Sequence, residues 1–331
     1  MAGWAEGLRA VVAPLRISDP ALLIPLMGAA VLVYLAVLPL FVLVWGSFQR
    51  EVAAGELVST LDNYVAAYAS RYTYATLFNT AVFATGSAGV AFALGTAIAW
   101  LVQRTNTPFG SLFLLLALMP LVLPGILEAI AWIFLLSPKF GYLNVALMSL
   151  LGLQSAPFNI YSLGGMVWVQ ATAQVPLAFL LMAAAFQSMD PSLEESATMC
   201  GATVRQMLRR ITLRLLLPAG ASVLLILFVR SLESIETPAI IGIPARIYVF
   251  TSEIYLAFHE YPPDYGRGAA LAVGLLVLSG VGVWLYTRGT TRGREQFQTV
   301  TGKAFRPRRH DLGRLRWVSF GLLVSCWCST S

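Results

Sequence analysis

Only 16 Asp and Glu side chains and two histidines, His259 and His310, occur in this 331-residue chain, so the position of each one matters. Glu128, in LPGILEAIAW, is the one carboxylate deep inside a long apolar run. A charge in such a place is expensive, so it faces either a watery pathway or a bonding partner on a neighbouring helix. Pro120 and Pro124, just ahead of it, can break the helix and turn backbone groups toward that pathway. Arg230, Glu233 and Glu236 follow one another at i, i+3, i+6 near the end of another apolar run. They could line a gate or form a plain interfacial charge cluster. Cys200, Cys326 and Cys328 are too few for a disulfide framework, and the C-x-C pair reads as incidental. With two histidines no zinc site of usual spacing can be drawn, so we expect no metal site. The TGKA string around Gly302 lacks the earlier glycine and the Ser/Thr of a phosphate-binding loop.

These residues sit in a chain that is 58% hydrophobic and only 11% charged, with a mean hydropathy of +0.74. A soluble domain carries about 25% charged residues, so the reading is an all-α integral membrane protein. Six apolar runs are long enough to cross a hydrocarbon core about 30 Å thick, near residues 21–45, 75–102, 111–136, 163–186, 213–229 and 266–286. A seventh starts at Trp317 and turns polar after about ten residues. Of the 22 Lys and Arg residues, 16 fall on one side if the N-terminus is cytoplasmic and 6 on the other. That asymmetry predicts the N-terminus inside and assigns the excess of +6 to topology, not to nucleic acid. The first 20 residues read as a cytoplasmic tail with no cleaved signal peptide. Residues 21–288 form the transmembrane domain, 289–316 a basic cytoplasmic linker near lipid headgroups, and 317–331 the incomplete start of further spans. Gly86, Gly89 and Gly95 in the second span predict close helix packing.

Residues 190–218, DPSLEESATMCGATVRQMLRRITLRLLLP, are the longest charge-dense run within the apolar body. Asp190 before Pro191 is a helix start, and Glu194 and Glu195 fall near the first turn, where they complement the helix dipole. Leu193, Ala197 and Cys200 give one small apolar face, and Gly201 suits a left-handed stop. Val204, Met207, Leu208 and Ile211 then repeat at i, i+3, i+4, i+7 with Arg205, Arg209 and Arg210 opposite. The expectation is two short helices around a glycine turn at the cytoplasmic surface. They serve either as an interfacial connector or as a docking element for a cytoplasmic partner.

At these residues the sequence resembles the permeases of ABC transporters and their EAA motif, E-A-A, three residues, Gly, nine residues, I-x-L-P. Glu195, Ser196 and Ala197 occupy the E-A-A positions, Gly201 follows at the motif spacing, and Ile211 and Leu213 come after nine more residues. Serine replaces the first alanine, and Arg214 stands where proline is usual, with Pro218 four residues on. The strings FNTAVFATGSAGVAFALGTAIAWLVQRT, GYLN and SLESIETPAIIGIPARIYVFTSEIY are similar to the ferric-iron subgroup of binding-protein-dependent permeases. That subgroup usually fuses two six-helix halves, so the expectation is one complete half and the opening of a second, in a truncated or frameshifted product or a fragment.

The resemblance implies a MetI-like ABC permease fold: six transmembrane helices plus the start of a seventh, in a bacterial inner membrane. It implies an importer subunit without enzyme activity. A separate ATP-binding subunit would hold ATP and Mg and receive the loop of Glu195, Ser196, Ala197, Gly201, Ile211, Leu213 and Pro218. An external substrate-binding protein and a second permease half or a second copy would complete it, and Arg230, Glu233 and Glu236 could meet that binding protein. Ferric iron is the expected cargo, with polyamines, sulfate, thiamine and phosphonates as others. The alternatives are a gradient-driven secondary transporter or channel and a non-functional relic.

Overall fold

The computed structural model describes residues 20–53, 56–106, 108, 119–189, 192–291 and 321. Residues 1–19 of the expected cytoplasmic tail, residues 292–316 of the expected basic linker, Asp190, Pro191 and, residue 321 excepted, the expected seventh apolar run lie outside them.

Helix α1 (Pro20–Ser47) opens on proline, whose fixed φ suits a first helical position. It is apolar all round and packs along the helix of Tyr265–Thr291, while Val31, Leu35, Phe41 and Trp45 stay exposed. Exposure of that kind requires lipid or protein, not water. A short antiparallel hairpin, β1 (Gln49–Ala53) and β2 (Glu56–Ser59), and helix α2 (Asp62–Tyr68) follow. The hairpin is an addition to an otherwise helical architecture. Arg50 and Asp62 pair across its base at 3.2 Å in the open.

The centre is built from three long helices: α3 (Arg71–Arg104), α6 (Leu163–Ser188) and α9 (Leu213–Glu233). Ser70 and Ser162 cap the first two, their hydroxyls accepting from the N–H groups of Tyr72 and Gly165. The seam is made of small residues on α3 (Ala88, Ala91, Ala99), larger ones on α6 (Phe179, Met182, Phe186) and Leu216, Val223 and Leu227 on α9. At Gly95 the backbones come so close that a Cβ would stand 2.5 Å from that of Ala178 and 2.8 Å from the Phe179 nitrogen. At Gly86 a Cβ would press on Val167 at 3.1 Å, but at Gly89 it would meet nothing within 4 Å. Close packing therefore explains two of the three glycines expected to provide it.

The third predicted span, 111–136, is not one helix over its described part. A 3-10 turn (Met119–Val122) is followed by a break at Leu123 and Pro124, and α4 (Gly125–Leu136) begins after it. Proline lacks the N–H and excludes the preceding residue from helical geometry, which is why the ladder stops there. Five helices among the described residues are long and apolar enough to cross a membrane: α1, α3, α6, α9 with its leading turn, and α11 (Tyr265–Thr291). Between them, α5 (Tyr142–Leu151) ends on Gly152 in the left-handed region, and α10 (Phe250–His259) packs on α11. Asn79 donates to the Tyr248 carbonyl and Thr80 accepts from the Phe250 N–H, fastening the start of α10 to α3.

One end of the bundle gathers the C-termini of α3 and α6 and the N-terminus of α9. There the chain forms α7 (Ser192–Met199), α8 (Val204–Met207) and a π-helical stretch, Leu208–Thr212, that leads into α9. A second π-helical turn, Pro238–Gly242, follows α9 at the opposite end.

Candidate functional site: a polar cavity and a helix–turn–helix loop

Glu128, Arg230, Glu233 and Glu236, singled out separately in the sequence, line one cavity of about 340 Å³. The volume lies within the range of small-ligand sites, about 300–1,000 Å³. Pro120, Leu121, Leu123 and Gly125 supply one wall, so the broken third span opens the space that Glu128 enters from the first turn of α4. The opposite wall is α6, through Gln170 and Gln174, and the end of α9, through Arg230, Glu233, Ser234 and Thr237. Glu233 closes α9 and Ser234 is extended, so Glu236 returns to the cavity from a new direction and not as a further turn of one helix.

Two glutamines missed in the sequence organise this wall. Gln170 Oε1 accepts from Thr237 Oγ1 at 3.0 Å, and Ser234 Oγ lies within hydrogen-bond distance of both Gln170 Oε1 and Glu236 Oε2. Gln174 Nε2 donates to Ser231 Oγ at 2.9 Å, whose own proton goes to the Leu227 carbonyl. Their i, i+4 spacing in WVQATAQVP is the signal that was available, since amides in an apolar span face the protein interior. Among the described residues, Glu128 Oε1 and Gln174 Oε1 are buried without a hydrogen-bond partner. Buried acceptors left so are costly, so hydrogen-bond donors or positive charge placed beside them would be favoured.

The loop at the other end folds as its local signals dictate. Gly201 has φ +80°, and the Ala202 N–H reaches back to the Ala197 carbonyl at 3.0 Å, a Schellman closure of α7. Thr203 and Gln206 then form a capping box: the Gln206 N–H donates to Thr203 Oγ1, and the Thr203 N–H donates to Gln206 Oε1. The T-x-x-Q spacing of Thr203 and Gln206 is the sequence signal for it. Of the motif positions, Glu195, Ser196 and Ala197 lie on α7, Gly201 at the turn, and Ile211 in the π-helical stretch. Leu213 opens α9 and Pro218 lies inside it. The tip protrudes, with Met199 89% exposed and Cys200 and Gly201 also exposed.

Leu193 and Cys200 are exposed, so the small apolar face expected there lies open, and the loop is anchored by Met207, 1% exposed. Glu194 is more than a complement to a helix dipole. It is buried, its Oε2 lies 3.6 Å from Arg104 Nη1, and its Oε1 accepts from Thr212 Oγ1 at 2.8 Å. Arg104, one of the 16 cations that the sequence places on the cytoplasmic side, is 1% exposed and donates to the Phe186 carbonyl at 3.0 Å. Its place at the end of α3 was the clue, because a cation there satisfies helix C-terminal carbonyls.

Residues 89–288 match the family described as "Binding-protein-dependent transport system inner membrane component". The chain belongs to that family. It is 27% identical over 241 residues to the "Putative ferric transport system permease protein FbpB 1" of Haemophilus influenzae, covering 71% of the chain and 35% of that relative. It is also 28% identical over 270 residues to the "Trehalose/maltose transport system permease protein MalF" of Thermococcus litoralis, covering 78% of the chain and 88% of the relative. The chain thus spans about a third of the length of the ferric relatives that it matches. Its fold is similar to that of a bacterial alginate ABC transporter solved with an alginate-pentasaccharide-bound periplasmic protein. The TM-score there is 0.69 at 20% identity, over 84% of this chain and 96% of that one. The chain is a multi-pass protein of the inner membrane.

Proposed function

We propose that the chain is the transmembrane subunit of a bacterial ABC importer, that residues 192–212 dock into a separate ATP-binding subunit, and that the cavity around Glu128 lies on the cargo's path. The observation that carries this reading is the exposed tip at Met199–Gly201 standing on a buried anchor, in a chain of this family. Binding and hydrolysis of ATP belong to the partner. An external binding protein delivers cargo to the opposite end, and a second permease half or copy completes the pathway. The N-terminus and the loop then face the cytoplasm.

For the cargo we propose a cation, ferric iron first. Three carboxylates against one arginine line the cavity, and two of its buried oxygens have no partner among the described residues. The ferric permeases among the relatives support the same reading. A second reading, a saccharide, is favoured by the match to a trehalose/maltose permease over 88% of its length. The test is uptake by the complete importer in proteoliposomes, with ferric iron and trehalose offered in turn. We expect ATP-dependent iron uptake, lowered about tenfold by Glu128→Gln, since a hydrogen bond to a charged group contributes about 1.5–3 kcal/mol. Trehalose uptake without iron uptake would overturn the cation assignment. Uptake that survives ATP depletion and collapses with an uncoupler would overturn the importer itself.

A further inference from the structure

The buried node of Arg104, Glu194 and Thr212 does something that the exposed tip of the loop cannot do alone. Through it one carboxylate of α7 is joined to the end of α3 by an ion pair, and to the head of α9 by the Thr212 hydroxyl. Through Arg104 it is also joined to the end of α6, by the Phe186 carbonyl. Arg104, Glu194 and Thr212 are at most 5% exposed. Two of these helices continue to the cavity: α6 presents Gln174 about 21 Å from its Ser188 end, and α9 presents Arg230 about 26 Å from its start. We infer that Arg104, Glu194 and Thr212 are positioning residues that make the loop and the ends of α3, α6 and α9 one rigid body, so that displacement of the loop moves the cavity walls.

The inference rests on the docking role proposed for the loop. It differs from simple packing in one respect. An apolar replacement of the ion pair would restore a filled, stable interior, because buried pairs are often replaceable by hydrophobic residues at no cost in stability. It would not restore the directed bonds to three separate helix ends.

The experiment uses the complete importer in proteoliposomes and reads cargo transported per ATP hydrolysed. Thr212→Val keeps the ion pair and removes one hydroxyl, and should lower that ratio about fivefold, the effect of a single hydrogen bond. Thr212→Ser restores the hydroxyl and should restore the ratio. The double variant Arg104→Met/Glu194→Met should unfold at the wild-type temperature yet hydrolyse ATP with little transport. Wild-type ratios in both Thr212→Val and the double variant would overturn the inference. If the double variant does not assemble, Thr212→Val against Thr212→Ser decides alone. Gly201→Trp separates the two levels of the argument: if it leaves assembly and transport intact, the docking role fails. If it abolishes assembly while the node variants stay coupled, only the positioning role fails.

Discussion

Arg104 and Glu128 show how differently two charges in an apolar chain can be read. Glu128 stood out because nothing else near it was charged, and the structure finds it buried, with one oxygen unpaired among the described residues. Arg104 looked ordinary because it ends a span, where cations are common, and only the folded chain brings it to a carboxylate 90 residues away. Sequence patterns report what a residue's own helix does with it; they do not report a partner on another helix. The energetic contrast is testable on stability alone. Glu194→Ala leaves a buried guanidinium uncompensated, which should cost about 3–5 kcal/mol. Arg50→Ala breaks the exposed pair with Asp62 and should cost about 0–1 kcal/mol. Thermal unfolding of the purified protein in detergent would rank the two, and equal losses would contradict the burial argument.

At the scale of elements, hydropathy located the long helices because a lipid-facing surface needs an unbroken apolar run, and α3, α6 and α11 each contain the span expected. It did not find the interruption at Leu123 and Pro124, since averaging over a window hides a two-residue break, although Pro120 and Pro124 marked the place. The antiparallel pairing of Gln49–Ala53 with Glu56–Ser59 was equally hidden, because these residues carry no strong alternation. Two glycines give opposite predictions. Gly95→Val forces side-chain atoms into the backbone of α6 and should lose about 1–3 kcal/mol or more, seen as a collapsed yield of folded protein. Gly201 has open space around it and a positive φ, so Gly201→Asn, which tolerates that backbone, should fold and dock better than Gly201→Ala. Co-purification with the ATP-binding subunit measures the difference.

For the whole molecule, the proposed orientation can be read from a natural probe. Cys200 is exposed at the loop tip, beside Gly201. With Cys326 and Cys328 changed to serine, a membrane-impermeant maleimide should label it in inverted vesicles and not in intact cells. Added ATP-binding subunit should then protect it. Labelling from outside the cell would reverse the topology. The π-helical stretch, Leu208–Thr212, bears on the same assembly in another way. Met207 and Thr212 are both buried although five residues apart, a spacing that an α-helix would turn to different faces. The wider turn, closed by the Leu213 N–H on the Leu208 carbonyl, carries one surplus residue and brings them back into phase. From Thr212 onward Leu216, Gly220, Val223 and Leu227 continue the inward stripe of α9. Deleting Arg210 would therefore leave an ordinary α-helix in which the two stand four residues apart and still face inward. One further residue inserted there, with no second wide turn to absorb it, would rotate everything N-terminal to it by about 100° against the bundle, like a gear remeshed one tooth out.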